Sequence, residues 1–485
     1  MCKPTKDSSK TDGPTDVLSN STKVVSNTAT NTDTGSITIT PENKVIGYAK
    51  DKHFIVGSIR AKHTDNNLQI GIKGTYYDVT TFAPYHPGGD VINEFHKKDA
   101  TAQFLAYHPP NVLTRMKLKK VGTYDFDSDK PFGCKLQGDW MKLNEKFEKE
   151  GRYETPISYF FTKVAVVGFF FIMAWANAYM YQNCNDFGSF AKFLCFILGS
   201  ICLAGTWQQA GFIVHDTMHN HIFHNQKKDQ KCGYFFGSIV LGLSSKWWRD
   251  EHTDHHLYTN SHVKNVGPSD PQMQEDIWIQ HADLIQYFPK NIAPYLLKFQ
   301  KYYFIPLCVV VAPINLRIES MVNNRRIDEL VGFIIHCTWV TTLILSFDTI
   351  IEGVLYVFIA NLFLGVLTIQ LLVSHYSKPY VEKNDLLSST GISWASHQLQ
   401  CVLDIMCPPF MDWFHGGLHL HSPHHLFPRM CRCHYRDIYN EIVTLCESNG
   451  LELDRKGWFE AVGCLITHLG DIENAESILE KVKTL

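Results

Sequence analysis

Residues 246–261 read KWWRDEHTDHHLYTNS, and three histidines inside this stretch, His252, His255 and His256, stand at offsets of three and four. On a helix of 3.6 residues per turn, those offsets put all three rings on one face. Two other stretches repeat the pattern. HDTMH places His215 and His219 four residues apart, and HSPHH places His421, His424 and His425 at the spacing of the first-quoted cluster. Pro423 predicts that the last of these helices starts or kinks there. A lone HxxxH pair is more often without function than a metal site. Eight imidazoles in three groups are enough to hold two first-row metal ions and leave positions open for dioxygen. Carboxylates do not recur at these spacings, so an imidazole-rich site is favoured over a carboxylate-bridged bundle.

The clusters lie beside long apolar stretches. Val164–Tyr181, Phe193–Val214, Leu330–Phe347 and Gly353–Ser374 are each long enough to cross a bilayer as a helix. Tyr302–Leu316 is shorter and carries Pro306 and Pro313, which reads as an interfacial or re-entrant segment. The turn 182–191 holds Asp186 and no Lys or Arg, and the turn after the third span holds Asp348 and Glu352. Arg317, Arg325 and Arg326 precede the third span, while Lys378 and Lys383 follow the fourth. The positive-inside rule therefore puts both turns in the lumen and all three histidine clusters on the cytosolic side.

Among 485 residues there are 45 basic and 48 acidic side chains, and a net charge of −3 gives no reason to expect a nucleic-acid partner. The 14 cysteines form no disulfide-like framework and no CxxC pair. Residues 1–52 are expected to be a disordered tail rich in Ser, Thr, Asn and Asp, with no signal-peptide core.

Upstream of the clusters, residues 68–90 read LQIGIKGTYYDVTTFAPYHPGGD and residues 99–108 read DATAQFLAYH. A strand pair, a turn, HPGG and then a second His is the layout of a two-histidine heme pocket, with glycines where the backbone passes the macrocycle. Residues 53–126 resemble cytochrome b5. The resemblance implies an α+β domain holding heme b, with His86 and His108 as axial ligands and His96 as no ligand. Gln69 stands where that family usually has an aromatic residue, which predicts a looser edge there.

Residues 150–445, with HxxxH, HxxHH and HxxHH between hydrophobic hairpins, resemble the membrane fatty-acyl desaturase and hydroxylase superfamily. The fused N-terminal module, KWWRDEHTDHHLYTNS and CPPFMDWFHGGL…HHLFPRM point to its front-end desaturases. The latter stretch, followed by Arg432 and Cys433, is similar to the Δ8 sphingolipid branch. The resemblance implies a multi-domain chain: a heme domain at 53–126, a linker at 127–157, an all-α integral-membrane domain at 158–445 and a cytosolic tail at 446–485. Four transmembrane helices would carry a cytosolic cap with three histidine boxes. It also implies two non-heme iron ions on His215, His219, His252, His255, His256, His421, His424 and His425. His375, at the end of the last span, fits the family's ninth histidine.

The implied reaction is oxygen-dependent formation of a double bond in a fatty acyl or sphingoid chain. Electrons would arrive from an NADH-cytochrome b5 reductase through the heme, since no Rossmann glycine fingerprint occurs in the chain. The expected location is the endoplasmic reticulum membrane with both termini cytosolic, and the last residues, KVKTL, match a KxKxx retrieval pattern. The family usually has GGLQxQxxHH before the last pair, where this chain has Gly416-Gly417-Leu418-His419-Leu420-His421. His421 is nonetheless read as a ligand and His419 as turned away. His336 reads as a packing contact, and His221, His224, His262, His397, His415 and His419 as supporting or interface residues. Trp247, Trp248 and Trp413 suit an aromatic belt at the membrane surface. Two alternatives stay open. A hydroxylase of the same superfamily would return oxygen to the chain, and a non-enzymatic membrane electron carrier would leave the boxes idle.

Overall fold

The computed structural model describes residues 67–125 and 134–483, apart from 185, 187, 264–266, 275, 276, 325 and 388–390. The tail 1–52, the start of the heme module, residues 127–133, Arg325 and the final Thr484-Leu485 lie outside the described residues.

The N-terminal module begins with an antiparallel sheet of β1 (Gln69–Ile72), β2 (Thr75–Asp78) and β3 (Lys119–Thr123), in that order. Lys73 and Gly74 both have positive φ (49° and 77°), the backbone of a two-residue hairpin turn. Leu68, Ile70, Ile72 and Val79 are buried. Gln69 is pinned: it pairs with Asp78, its N–H donates to His96 Nδ1 at 3.2 Å, and its carbonyl accepts from Lys97 N at 2.7 Å. The expected looseness at this edge is absent because backbone bonds hold the strand without an aromatic side chain.

Four helices are long and apolar enough to cross a membrane: Ile157–Asn183, Ser189–Met218, Ile327–Leu345 and Ile350–Leu372. Their outward residues, among them Phe169, Ile172, Leu198, Ile334 and Leu355, are large and apolar, as lipid-facing positions require. The first, second and fourth spans pack together. Gly199 lies directly under the Tyr356 hydroxyl, which donates to the Ala174 carbonyl at 2.7 Å. A side chain at 199 would push the second and fourth spans apart. The Pro-bearing run lies in two helices, Ala293–Val310 and Ala312–Asn323, bent 67° from one another. Pro313 sits in the first turn of the second helix, where its missing N–H is tolerated.

Two stretches taken as linker and tail contain packed helices. In Cys134–Lys149, Leu136, Trp140 and Phe147 are buried, and Trp140 Nε1 donates to the Leu426 carbonyl at 3.1 Å. Its polar residues cover one face, and a narrow apolar stripe docks the other beside the third histidine cluster. In Trp458–Lys483, Ala461, Leu465, Leu469 and Ile472 are buried against the Ala293–Val310 helix. Their spacing of three and four is that of one helical face.

Candidate metal centre and heme pocket

Each cluster rests on a helix end whose local chemistry fixes it. His215 and His219 stand one turn apart at the end of the second span. His252, His255 and His256 lie on the helix Ser245–Tyr258, which starts where Ser244 Oγ accepts from Trp247 N at 3.1 Å. His421, His424 and His425 lie on the short helix His421–Leu426, with Pro423 inside its first turn, so that the proline opens this helix rather than kinking it. His375 follows the fourth span, its N–H bonded to the Leu372 carbonyl at 3.1 Å.

The structure brings these nine side chains together. Ring nitrogens of His215, His219, His252 and His424 lie within 4.8 Å of one another, as do those of His255, His375, His421 and His425. A third set, His256, His424 and His425, overlaps both. All but half-buried His219 are buried. Nε2–Nε2 distances are 3.2 Å for His215–His424, 2.9 Å for His256–His424, 3.1 Å for His252–His256 and 2.6 Å for His375–His421.

The opposite ring nitrogens of five of them are engaged, whereas His256 Nδ1 is buried without a hydrogen-bond partner. His255 Nδ1 donates to Asp270 at 3.0 and 3.1 Å, His375 Nδ1 to the Cys401 carbonyl at 2.9 Å, and His421 Nδ1 to the Leu418 carbonyl at 2.9 Å. His425 Nδ1 donates to Gln398 Oε1 at 2.7 Å, and His424 Nδ1 faces the Tyr435 hydroxyl at 3.2 Å. With their protons on Nδ1, His375 and His421 turn two lone pairs toward each other. A cation between them relieves that repulsion. The Nε2 atoms of His219 and His425 are buried without a hydrogen-bond partner, which also fits a metal ligand. Burial, followed by the neighbouring imidazoles, pushes His424 and His425 well below the usual 6.5. Burial likewise pushes His421 down to about 3, so the rings remain neutral donors. The set suits imidazole-loving first-row ions in two adjacent positions.

Several supporting residues had no sequence signal. Asp270 is fully buried and also accepts from Asn260 N and Gln272 N. Gln398 bridges His425 to the His256 carbonyl at 3.0 Å. Arg432 Nε donates to Asp216 of the first cluster at 3.0 Å and Arg432 Nη1 to the Gly416 carbonyl at 2.9 Å, giving the flagged arginine a structural task. His221 and His397 bond the carbonyls of Pro428 and Thr259, both at 2.7 Å, and His336 bonds that of Val240 at 3.0 Å. His419 is not in either set: its Nε2 meets Asp412 at 3.1 Å and Arg436 at 3.2 Å. The Asp412, His419 and Cys407 group is already neutralised by the Arg436 guanidinium. Trp413 is 45% exposed and stacks near Phe170.

In the N-terminal module, the His86 and His108 rings face each other with centroids 5.9 Å apart. An iron about 2 Å from each nitrogen needs roughly that gap. His86 Nδ1 donates to the Gly89 carbonyl at 3.0 Å, and His108 Nδ1 to that of Phe104 at 3.3 Å. Burial, then the charge of His86, lowers His108 to about 4, leaving a neutral ligand. A Cβ at residue 88 would sit 2.8 Å from His86 Cε1, so the glycine there is required by space. His96 bonds β1 instead and stays out of the pocket.

Residues 191–457 match the family model for fatty acid desaturases, and residues 58–125 match that for the cytochrome b5-like heme/steroid binding domain. The chain is 27% identical over 445 residues to a delta(8)-fatty-acid desaturase of Helianthus annuus, covering 87% of this chain and 92% of the relative. An acyl-lipid (9-3)-desaturase of Borago officinalis is 27% identical over 425 residues, 83% and 90% of the two chains. A delta 8-(E)-sphingolipid desaturase of Kluyveromyces lactis is 29% identical over 318 residues, 60% of this chain and 53% of the relative.

Proposed function

Because this chain belongs to the fatty acid desaturase family and carries a cytochrome b5-like domain ahead of it, we propose that it introduces a double bond into a fatty acyl or sphingoid chain of a membrane lipid, with dioxygen as co-substrate. The observation that carries this reading is the convergence of nine histidines within one cap, two sets of four joined by a third set that overlaps both. In this reading His215, His219, His252 and His424 hold one iron, His255, His375, His421 and His425 the other, and His256 stands between them. His86 and His108 would hold heme b. When bound, the iron pair supplies an oxygen-derived oxidant strong enough to take hydrogen from an unactivated methylene, which no side chain can do.

The protein's own work is positioning. Asp270, Cys401, Leu418 and Gln398 hold their imidazoles with Nε2 inward. Burial of the cap keeps water from the reacting carbons. The heme that His86 and His108 would hold would supply one-electron transfer, with an external NADH-dependent cytochrome b5 reductase as the source of electrons. The proposed location is the endoplasmic reticulum membrane, with the cap and both termini on the cytosolic face, supported by the Arg and Lys bias around the third and fourth spans. The names of the Helianthus and Kluyveromyces relatives support a Δ8 position.

Expression in a yeast lacking such desaturases, followed by mass spectrometry of total lipids with double-bond localisation, tests the reading. The expected product has lost one hydrogen from C8 and one from C9. A product that gains one oxygen would make the protein a hydroxylase, and an unchanged lipid profile from well-inserted, heme- and iron-loaded protein would leave it an electron carrier.

A further inference from the structure

Between the heme module and the metal-binding cap lies a carboxylate used by neither site. Glu94 belongs to the turn Gly89–Phe95, between His86 and His108, and is 5% exposed. Its Oε1 accepts from Lys383 Nζ at 2.9 Å and its Oε2 from the Tyr258 hydroxyl at 2.8 Å. Lys383 Nζ also stands 2.7 Å from Oε2 and 4.1 Å from the centroid of the Tyr258 ring. Lys383 is itself 4% exposed, so this is a buried ion pair sealed by an aromatic face.

Both partners hang from backbone that carries metal-binding histidines. Tyr258 is two residues beyond His256 on the same helix. Lys383 follows the strand Val381–Glu382, eight residues beyond His375, and that strand pairs in parallel with Ser261–Val263. Close by, Arg429 Nη2 reaches the Leu105 carbonyl at 3.5 Å, three residues before His108. Asp254 of the second cluster acts on the buried Tyr107, the neighbour of His108. Apolar surfaces slide with little penalty. A buried carboxylate that needs two specific donors accepts one register only.

We propose that Glu94, Lys383 and Tyr258 are positioning residues for electron transfer, a buried latch that holds the heme module in a single register on the cap. Each transferred electron leaves ferrous heme, which becomes ferric, and reduces one ferric ion of the cap to ferrous. No proton or bond is exchanged at the latch. The electron's destination rests on the proposed function, whereas the latch stands on its own contacts.

The test uses full-length, heme-loaded protein in nanodiscs. In its metal-free form, Lys383→Met leaves Glu94 buried without the cation that hydrogen-bonds it, with Lys98 the nearby cation still acting on it. Losing one partner of such an interfacial pair weakens an interface roughly 30-fold or more. Amide exchange over Gly89–Phe95 and Ser245–Tyr258 is therefore expected to accelerate by about that factor, with the heme spectrum unchanged. The swapped pair, Glu94→Lys with Lys383→Glu, is expected to restore protection. Wild-type exchange in Lys383→Met overturns the latch. So does a folded swap that stays as fast as Lys383→Met, which covers the case in which that variant fails to fold. In iron-loaded protein, stopped-flow reoxidation of reduced heme is expected to slow in Lys383→Met and recover in the swap. Wild-type reoxidation despite faster exchange overturns the role in electron transfer. If the unmutated protein shows no iron-dependent reoxidation, the proposed function fails, while the exchange data still judge the latch.

Discussion

His375 Nε2 lies 2.6 Å from His421 Nε2, with the other nitrogen of each ring donating to a backbone carbonyl. Positions 419 and 421 both carry His where the resembled front-end pattern GGLQxQxxHH has Gln, and of the two only His421 meets the histidine sets. An imidazole there offers a lone pair of the same kind as its neighbour's. A Gln offers an amide oxygen that binds iron more weakly.

His421→Gln is therefore expected to keep part of the bound iron and part of the product yield. His421→Ala should lose more than the roughly 10–100-fold that removal of a supporting partner costs. His419→Gln should stay near wild type, because its ring meets Asp412 and Arg436 rather than either histidine set. Iron per protein and product per protein in the three variants check this. A His421→Gln enzyme with wild-type iron and rate would make the residue a spectator.

Asp270→Asn removes the charge that orients His255. Metal affinity should fall by roughly 10–100-fold. Iron retained against graded chelator measures it, and unchanged retention would remove Asp270 from the site's support.

Arg432 and Asp216 are both buried and bonded at 3.0 Å. Arg432→Met strands the carboxylate, at a cost of about 3–5 kcal/mol. Arg432→Met combined with Asp216→Asn should recover most of that loss. Thermal unfolding in detergent compares them, and equal melting of single and double variants would contradict the buried-charge argument.

His86→Ala should abolish the b-type absorbance while leaving iron in the cap, and should stop turnover. Full product formation in a background without free cytochrome b5 would mean that the fused module is not the electron donor.

The histidine groups were legible because ligands on one helix face repeat at three and four, a local signature. Their supports were not. Asp270 and Gln398 reach their histidines across 15 and 27 residues through loops that leave no period. The Glu94–Lys383 pair spans 289 residues, and an ion pair of that kind looks in sequence like two unrelated surface charges. The segment around Trp140 reads in sequence as a linker for a related reason. A narrow stripe of Leu136, Trp140 and Phe147 on an otherwise hydrophilic helix barely alters composition, although it buries a full tryptophan. The spans were legible in number, since lipid demands apolar residues on every face.

The contacts of Trp140 with Leu426 and of Glu94 with Tyr258 and Lys383 also occupy the surface that a separate donor would need in order to approach the second cluster. If the fused module is the donor, a free cytochrome b5 competes at a disadvantage for this face. One chain carries one heme module and one metal-binding cap, a ratio set at synthesis. Tyr85, next to His86, is 81% exposed and leaves a surface on that side for an external reductase to approach.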